Sequence, residues 1–345
     1  MRFIKFLSKP AKPMLGLDIS SSAVKLIELS KSADGYKVEA YRVMPLPANT
    51  VIEKNIADIE ALADTIKKVV TGSGTKLSDT VVAVSGSSVI TKEIELPAGL
   101  TDLQMEMQIE VEADQYIPYP MEEVAFDFDV LGPVETNADL VRVLLAACRQ
   151  ENVDHRRQAL DIAGLSPKVV DIEGFAIERA YRLVKGQLGK VGATMFTFTV
   201  LVDGKTIYSR EQLFGGKQLT EEIQRRYGLS YEEASEAKRN GGLPEDYETE
   251  VLAPFKESLI QHIIRSLQFF YSSSQYNYID QLFIAGGVSA LNGLVDEVER
   301  SLGLPVAIAN LLANMQVNKL INASSLANDG PAMMLAVGLA SRSFD

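Results

Sequence analysis

The chain is poor in the residues on which most catalytic and metal-binding chemistry rests. Its 345 residues hold two histidines, one cysteine and no tryptophan. His155 and His262 fall in separate helical stretches and read as surface residues. They build neither a metal cluster nor a nucleophile–His–acid arrangement. The lone Cys148 excludes an intrachain disulfide. It follows the apolar run Leu144-Leu145-Ala146-Ala147 and reads as a buried thiol in a reducing compartment. Gly-x-Ser-x-Gly, Cys-x-x-Cys and Gly-x-Gly-x-x-Gly do not occur, and Gly216-Lys217 lacks the upstream glycine and the following Ser or Thr of a P-loop. Ordinary hydrolase and P-loop chemistry is therefore excluded. Acids outnumber bases by 46 to 34, a net charge of −12, which argues against a nucleic-acid footprint. No apolar run approaches the ~18 residues of a spanning helix. The start, Met1-Arg2-Phe3-Ile4-Lys5-Phe6-Leu7-Ser8-Lys9, has its apolar stretch broken by Lys5 and no small-residue cleavage site, so it reads as a docked or frayed segment or a weak interfacial anchor. A soluble, cytoplasmic protein is expected.

One absence is local. From Glu93 to Val141 there is no Lys or Arg, but there are 13 acids. Within this stretch Thr101-Asp102-Leu103-Gln104 is a capping box, opening a helix with Leu103, Met107 and Val111 at i,i+4 spacing and stopped by Ile117-Pro118. Val124, Phe126, Phe128 and Val130 then alternate with Glu123, Ala125, Asp127 and Asp129 as a half-buried strand. Leu140–Ala147 is a strand and 150–163 a helix. The stretch is a compact α+β insertion with its own charge.

What surrounds it is α/β and repeats itself. Leu15-Gly16-Leu17-Asp18-Ile19 is a strand, Ser20-Ser21-Ser22 a turn, and the run from Ala23 through Lys25 to Leu29 a second strand. Asp34-Gly35 leads to a third, and a helical face runs from Ile56 to Val70. After a loop at 186–192 the pattern returns, with a turn at Gly192-Ala193-Thr194 and a second Asp-Gly at Asp203-Gly204. Two short helices follow, closed by Gly228 and by Gly241-Gly242. Next come a long helix with Phe255, Leu259, Ile263 and Leu267 on one face, a buried strand ending in Ala285-Gly286-Gly287, and a last helix at 331–341. Small residues at strand ends let backbone N–H groups approach a phosphate, so Ser20–Ser22, Gly192–Thr194 and Gly286-Gly287 are candidate ligand turns. An ordinary polar hairpin remains the alternative for each.

The order of these parts resembles the actin-like ATPase superfamily, and the placing of the insertion resembles the division actin FtsA. The stretches 15–22, 169–176, 208–220 and 330–344 resemble the PilM family of type IV pilus assembly. The resemblance implies a duplicated actin-like (ribonuclease H-like) fold, with an inserted α+β subdomain and a small helical subdomain. The first half is expected at 1–79 and 165–189, the insertion at 80–164, the second half at 190–216 and 244–345, and the helical pair at 217–243. It implies ATP and Mg2+ as ligands. Asp18 would orient the metal's water shell, Ser20, Ser21 and Ser22 form the first phosphate turn, and Lys25 face the phosphates. Glu173 would be the polar side chain of the connecting segment, with Asp171 as a substitute. Gly192, Ala193 and Thr194 would form the second phosphate turn, and Gly286, Gly287 and Val288 the adenosine turn. Lys217, Glu221 and Lys238 would meet ribose or base.

Where the family pattern Asp-Ile-Gly-x-x-x-Thr begins with an acid, this chain has Lys190. A cation there cannot hold a metal's water shell, so the departure implies ATP binding with weak or absent hydrolysis. The family implies a partner, the cytoplasmic N-terminal peptide of the inner-membrane pilus protein PilN, docked between the first domain and the insertion. It also implies pilus motor or platform proteins as neighbours, a scaffold that relays nucleotide state to an alignment complex, and a place at the inner membrane through its partner. The acidic segment from Glu93 to Val141 suits the basic cytoplasmic end of such a protein, although a solvated face serving solubility explains the same charge. A small-molecule kinase on the same superfold is the alternative function, and it lacks its natural catalytic acid for the same Lys190 reason.

Overall fold

The computed structural model of the chain describes residues 12–33, 35–112, 115–183, 191–195, 197–202, 205–211, 214–312 and 315–344. It opens on an antiparallel meander of β1 (Leu15–Ile19), β2 (Ala23–Ser32) and β3 (Gly35–Pro45). A short finger follows, β4 (Val51–Ile52) and β5 (Asn55–Ile56). Helix α1 (Ile59–Ser73) is capped by the Asp58 carboxylate, which accepts from the Ala61 N–H, and closes on Gly74 at φ 72°. Helical periodicity was expected from Ile56, but that residue belongs to the finger. The next strand is β6 (Asp79–Val84).

The chain divides into two compact units, Val84–Gln158 and the remainder. The smaller unit holds β7 (Val89–Pro97), α2 (Asp102–Glu112), β8 (Val124–Val134), β9 (Asn137–Arg149) and the start of α3 (Gln150–Ile162). Its sheet has the order β7-β9-β8, and Leu96, Val143 and Leu145 pack against Met105 and Ile109 of α2. The capping box is present, with the Thr101 N–H donating to Gln104 Oε1 at 2.9 Å and the Gln104 N–H to Thr101 Oγ1 at 3.4 Å. Leu103, Met107 and Val111, the expected apolar face, point outward instead, being 67, 60 and 82% exposed. In Leu103-Gln104-Met105-Glu106-Met107-Gln108-Ile109-Glu110-Val111 apolar and polar residues alternate strictly. At 100° per residue, alternation spreads the apolar side chains over two opposite sides of a helix. Only one side meets the sheet.

The larger unit resumes with β10 (Ser166–Ile172) and α4 (Glu173–Arg182). A second meander follows, of β11 (Val191–Met195), β12 (Thr197–Val202) and β13 (Lys205–Glu211). Helices α5 (Gly216–Tyr227) and α6 (Tyr231–Asn240) form the small pair, each closed on glycine as expected. Then come α7 (Ala253–Ser273), β14 (Gln281–Ile284), α8 (Leu294–Leu302), β15 (Val306–Ile308), β16 (Gln316–Val317), α9 (Ala323–Asp329) and α10 (Met334–Ser341). The turn at Asp203-Gly204 and the residue Lys190 lie outside the described residues.

The repeat is visible in the sheets. One has the order β10-β6-β1-β2-β3-β16 and the other β13-β12-β11-β14-β15. In each, a meander contributes its first strand to the centre, where it pairs in parallel with a later strand, β6 on β1 and β14 on β11. Between the sheets lie α4 and α10. Ile27, Leu29 and Val38 of one sheet and Leu201 and Phe283 of the other share a core with Ile177, Ala180, Met334 and Val337. His262 is not a free surface residue, since its ring stacks on Phe214 at 4.5 Å.

The crossing is tight because small residues line it. A Cβ added at Gly338 would come within 3.0 Å of the Ala176 carbonyl carbon and oxygen, and one at Gly16 within 3.0 Å of the Ala336 oxygen and two Ala340 atoms. Arg179 adds a polar tie, its guanidinium donating to Asp171 at 2.8 Å and to the Gly338 carbonyl at 3.0 Å, with both charged side chains buried. Gly338→Val is expected to destabilise by about 3 kcal/mol or more, since backbone and not a flexible side chain must yield. Gly174→Ala, whose Cβ would meet nothing within 4 Å, is expected to be neutral or stabilising. Urea unfolding of the two variants measures both.

Candidate functional site

The first turn is built by its own side chains. Ser20 Oγ donates to the Ala23 carbonyl at 2.8 Å and accepts from the Ala23 N–H at 3.2 Å, so this hydroxyl is committed to the turn. Ser21 and Ser22 are half-buried, and the Ser22 carbonyl accepts from the Leu46 N–H, tying the turn to the end of β3. Asp18 and Lys25 face each other across the hairpin register, and their ion pair closes at 2.6 Å with 5 and 12% of the side chains exposed. An opposite-charge pair directly across an antiparallel ladder is a stabilising arrangement. It places a carboxylate and an ammonium side by side at the turn.

Glu173, at the first position of α4, is also paired. Lys54 Nζ donates to both of its carboxylate oxygens at 3.0 and 2.7 Å. The cation comes from the finger between β4 and β5, where Glu53 and Lys54 take φ values of 48° and 70° without being glycine. Two consecutive non-glycine residues in the left-handed region are uncommon, and such strain persists where the surroundings hold it. Asp171, the substitute for Glu173, is held by the Arg179 guanidinium at 2.8 Å.

The second turn, Gly192–Thr194, is the body of β11, paired with β12 on one side and β14 on the other. It is a central strand, not a free loop like its counterpart. The third turn follows β14. Gly286 takes φ 90°, its N–H donates to the Pro331 carbonyl at 2.7 Å, and its carbonyl accepts the Ser289 hydroxyl at 2.7 Å. A Cβ on Gly287 would meet nothing within 4 Å, so this backbone is open to a ligand. Val288 does not fit that picture by its side chain, which is buried in the apolar core of the second half.

In the helical pair, Lys217 and Glu221 form an i,i+4 pair at 3.8 Å. Lys238 donates to the Gly216 carbonyl at 2.8 Å and to Thr220 Oγ1. Burial, with the neighbouring Arg239 adding to it, pushes this ammonium down to about 8. Among the described residues no carboxylate pairs with it. Sequence reasoning missed two groups nearby. Lys54 gave no signal, because its partner Glu173 lies 119 residues away. Asp329, which precedes Gly330-Pro331, is a carboxylate raised by burial against the opposing pull of Arg239, Tyr41, Arg42 and Lys25. These cations bring the first hairpin, β3 and α6 into one electrostatic field. Next to it a cavity of about 350 Å³ is lined by Met44, Leu46, Thr65, Lys68, Tyr231 and Arg239, among others.

These residues fit a polyphosphate ligand in kind: serines and open glycine backbone at strand ends, lysines on two elements, and one carboxylate at the first turn. Among the described residues no cluster of three or more His, Cys, Asp or Glu side chains could hold a metal directly. A lone carboxylate such as Asp18 suits a metal that keeps most of its water. Nor is any described helix long and apolar enough to cross a membrane.

Two sheets of one order, each led by a meander, with crossed helices between them, define the actin-like ATPase class of fold. Within that class the chain belongs to the type IV pilus assembly protein PilM family, whose model matches residues 16–344. A solved structure described as a PilM-PilN type IV pilus biogenesis complex contains a chain 31% identical to this one, with 97% of this chain and 100% of that chain covered at a TM-score of 0.78. The ethanolamine utilization protein EutJ of Carboxydothermus hydrogenoformans is similar at 15% identity and a TM-score of 0.54 over 98% of this chain and 93% of its own, a likeness of fold alone.

The depressed Lys238 ammonium has a measurable consequence. Its pKa in the folded chain lies below the unfolded value, so the unfolded state binds more protons between about pH 8 and 10.5. Folding stability is expected to rise with pH across that window. Lys238→Met should remove this rise, as read by denaturant unfolding of both proteins at pH 7.5 and about 10.5.

Proposed function

We propose that the chain is a nucleotide-binding scaffold of the type IV pilus machinery. It binds ATP with Mg2+ between the two halves of its larger unit, and turnover is slow or absent. Asp18 holds the metal through water, Ser21, Ser22 and Lys25 meet the phosphates with the backbone of Ser20, and Gly286-Gly287 lets backbone approach the nucleoside. Glu173 orients the phosphate end, Gly192–Thr194 lies beneath it, and Lys217, Glu221 and Lys238 face ribose or base. Of Val288 only the backbone takes part. When bound, Mg2+ would neutralise phosphate charge. The chain's own residues position the ligand, and Lys190 supplies no acid for activating water. The division into two halves, a helical pair and an insertion describes how these roles are shared.

Family membership together with the paired Asp18–Lys25 hairpin carries this reading. The partner is the N-terminal cytoplasmic peptide of a PilN protein, taken up by the acidic segment from Glu93 to Val141. The chain then sits in the cytoplasm, at the inner membrane through that partner, where pilus motor or platform proteins are its further neighbours. Nothing in the family likeness favours a small-molecule kinase.

Calorimetric titration with ATP in magnesium tests the ligand. Asp18→Asn keeps the shape of the side chain, and it is expected to weaken ATP affinity in magnesium roughly tenfold or more. An unchanged affinity in a variant with wild-type melting removes Asp18 from the site. Phosphate transfer to small acceptors would contradict the scaffold reading.

A further inference from the structure

Helix α2 lies within the acidic segment proposed to take up the PilN peptide, and the apolar stripe on its outer face has no part in that charge-based reading. Leu103, Met107 and Val111 form one stripe along it, each more than half exposed. Helix geometry sets the exposed Glu106 and Glu110 along one side of the stripe and Gln104 and Gln108 along the other. Three large apolar residues in a row are a patch, not a scatter, and patches of this kind mark interaction sites. The surrounding sequence from Glu93 to Val141 contains no base, so an occupant must bring both apolar groups and positive charge.

The chain carries one segment of that chemistry. Residues 1–11, which lie outside the described residues, combine Phe3, Ile4, Phe6 and Leu7 with Arg2, Lys5 and Lys9 and hold no acid. We propose that residues 1–11 of one copy dock on the apolar, acid-edged face of α2 in a second copy, and the second copy returns the contact. A single seating of so short a segment falls below the roughly 1,000 Å² that a specific interface clears, whereas a reciprocal exchange doubles it. An isologous exchange is also the arrangement that closes at two subunits and leaves no open chain of contacts. Lys12 is exposed and the Met14 N–H is anchored by Ser343 Oγ at 2.9 Å, so the point from which the segment is tethered is fixed on the larger unit.

Site-directed cross-linking of the full chain tests this. The single native thiol, Cys148, is buried. Full-length Phe3→Cys protein is mixed with full-length Met107→Cys protein under mild oxidation, and a mixed disulfide dimer is expected. Phe3→Cys mixed with Ile207→Cys, an exposed position on β13, is expected to give at least tenfold less. Sedimentation of the unmodified chain should show concentration-dependent association that salt weakens. Leu103→Asp with Val111→Asp, both at solvent-facing positions, should raise the dimer dissociation constant roughly tenfold or more, and Lys5→Glu should weaken it as well. Pairing Lys5→Glu with Glu106→Lys should recover part of the loss. Equal cross-linking to both positions overturns the proposal, as does a chain that stays monomeric throughout. So does a result in which Lys5→Glu abolishes co-sedimentation with vesicles of one-third phosphatidylglycerol but leaves self-association intact, because the segment would then be a membrane anchor.

Discussion

The placing of Glu173 relative to the Gly286 turn hangs on the contact of α4 with α10. Gly338 lies against the Ala176 backbone, Gly16 lies against Ala336 and Ala340, and a methyl group fits at neither glycine. Two sheets close onto this pair of helices, so their separation is set by the smallest side chains available. The Arg179 guanidinium, bridging Asp171 and the Gly338 carbonyl, fixes the relative positions of the end of β10 and of α10. Glu173 starts α4, two residues after Asp171. Pro331, just before α10, holds the Gly286 N–H. The first-half carboxylate and the second-half glycine turn therefore report to one crossing, and a shift there moves both.

The charges at the site are arranged against one another. Asp18 pairs with Lys25, Glu173 with Lys54, and Asp329 lies in the field of Arg239, Arg42 and Lys25. Buried ions left single are expensive, and each of these has an opposite charge at hand. A polyphosphate with its metal brings charge of both signs, so it can exchange partners with these groups without leaving one stranded. Lys238 is the exception, solvated among the described residues by a carbonyl and a hydroxyl, and its lowered pKa records the cost. An anion beside it would relieve that cost.

The fold was largely legible. Period-two runs around Ser20–Ser22, the capping box at Thr101 and the glycine stops at Gly228 and Gly241 all mark elements that formed where local chemistry placed them. The face of α2 was not legible, because strict alternation supplies a helix with two apolar sides and does not say which meets the sheet. The β4–β5 finger was hidden for a different reason. Glu53 and Lys54 carry none of the glycine or asparagine signature of a tight turn, and the pairing that holds them lies across the fold. Of the site, the residue types at strand ends were readable, whereas the commitment of Ser20 to its own turn, the burial of Val288 and the role of Asp329 depend on three-dimensional neighbours.

A scaffold that relays nucleotide state, as proposed for this family member, links the affinity for nucleotide to the affinity for the partner. Calorimetric titration with ATP–magnesium and with the partner's N-terminal peptide, each performed with and without the other ligand saturating, measures that coupling. Linkage requires the two affinities to change by the same factor, about fivefold or more for a switch. Equal, reciprocal factors are expected. ATP and peptide that bind with affinities independent of each other would contradict it, leaving a passive adaptor.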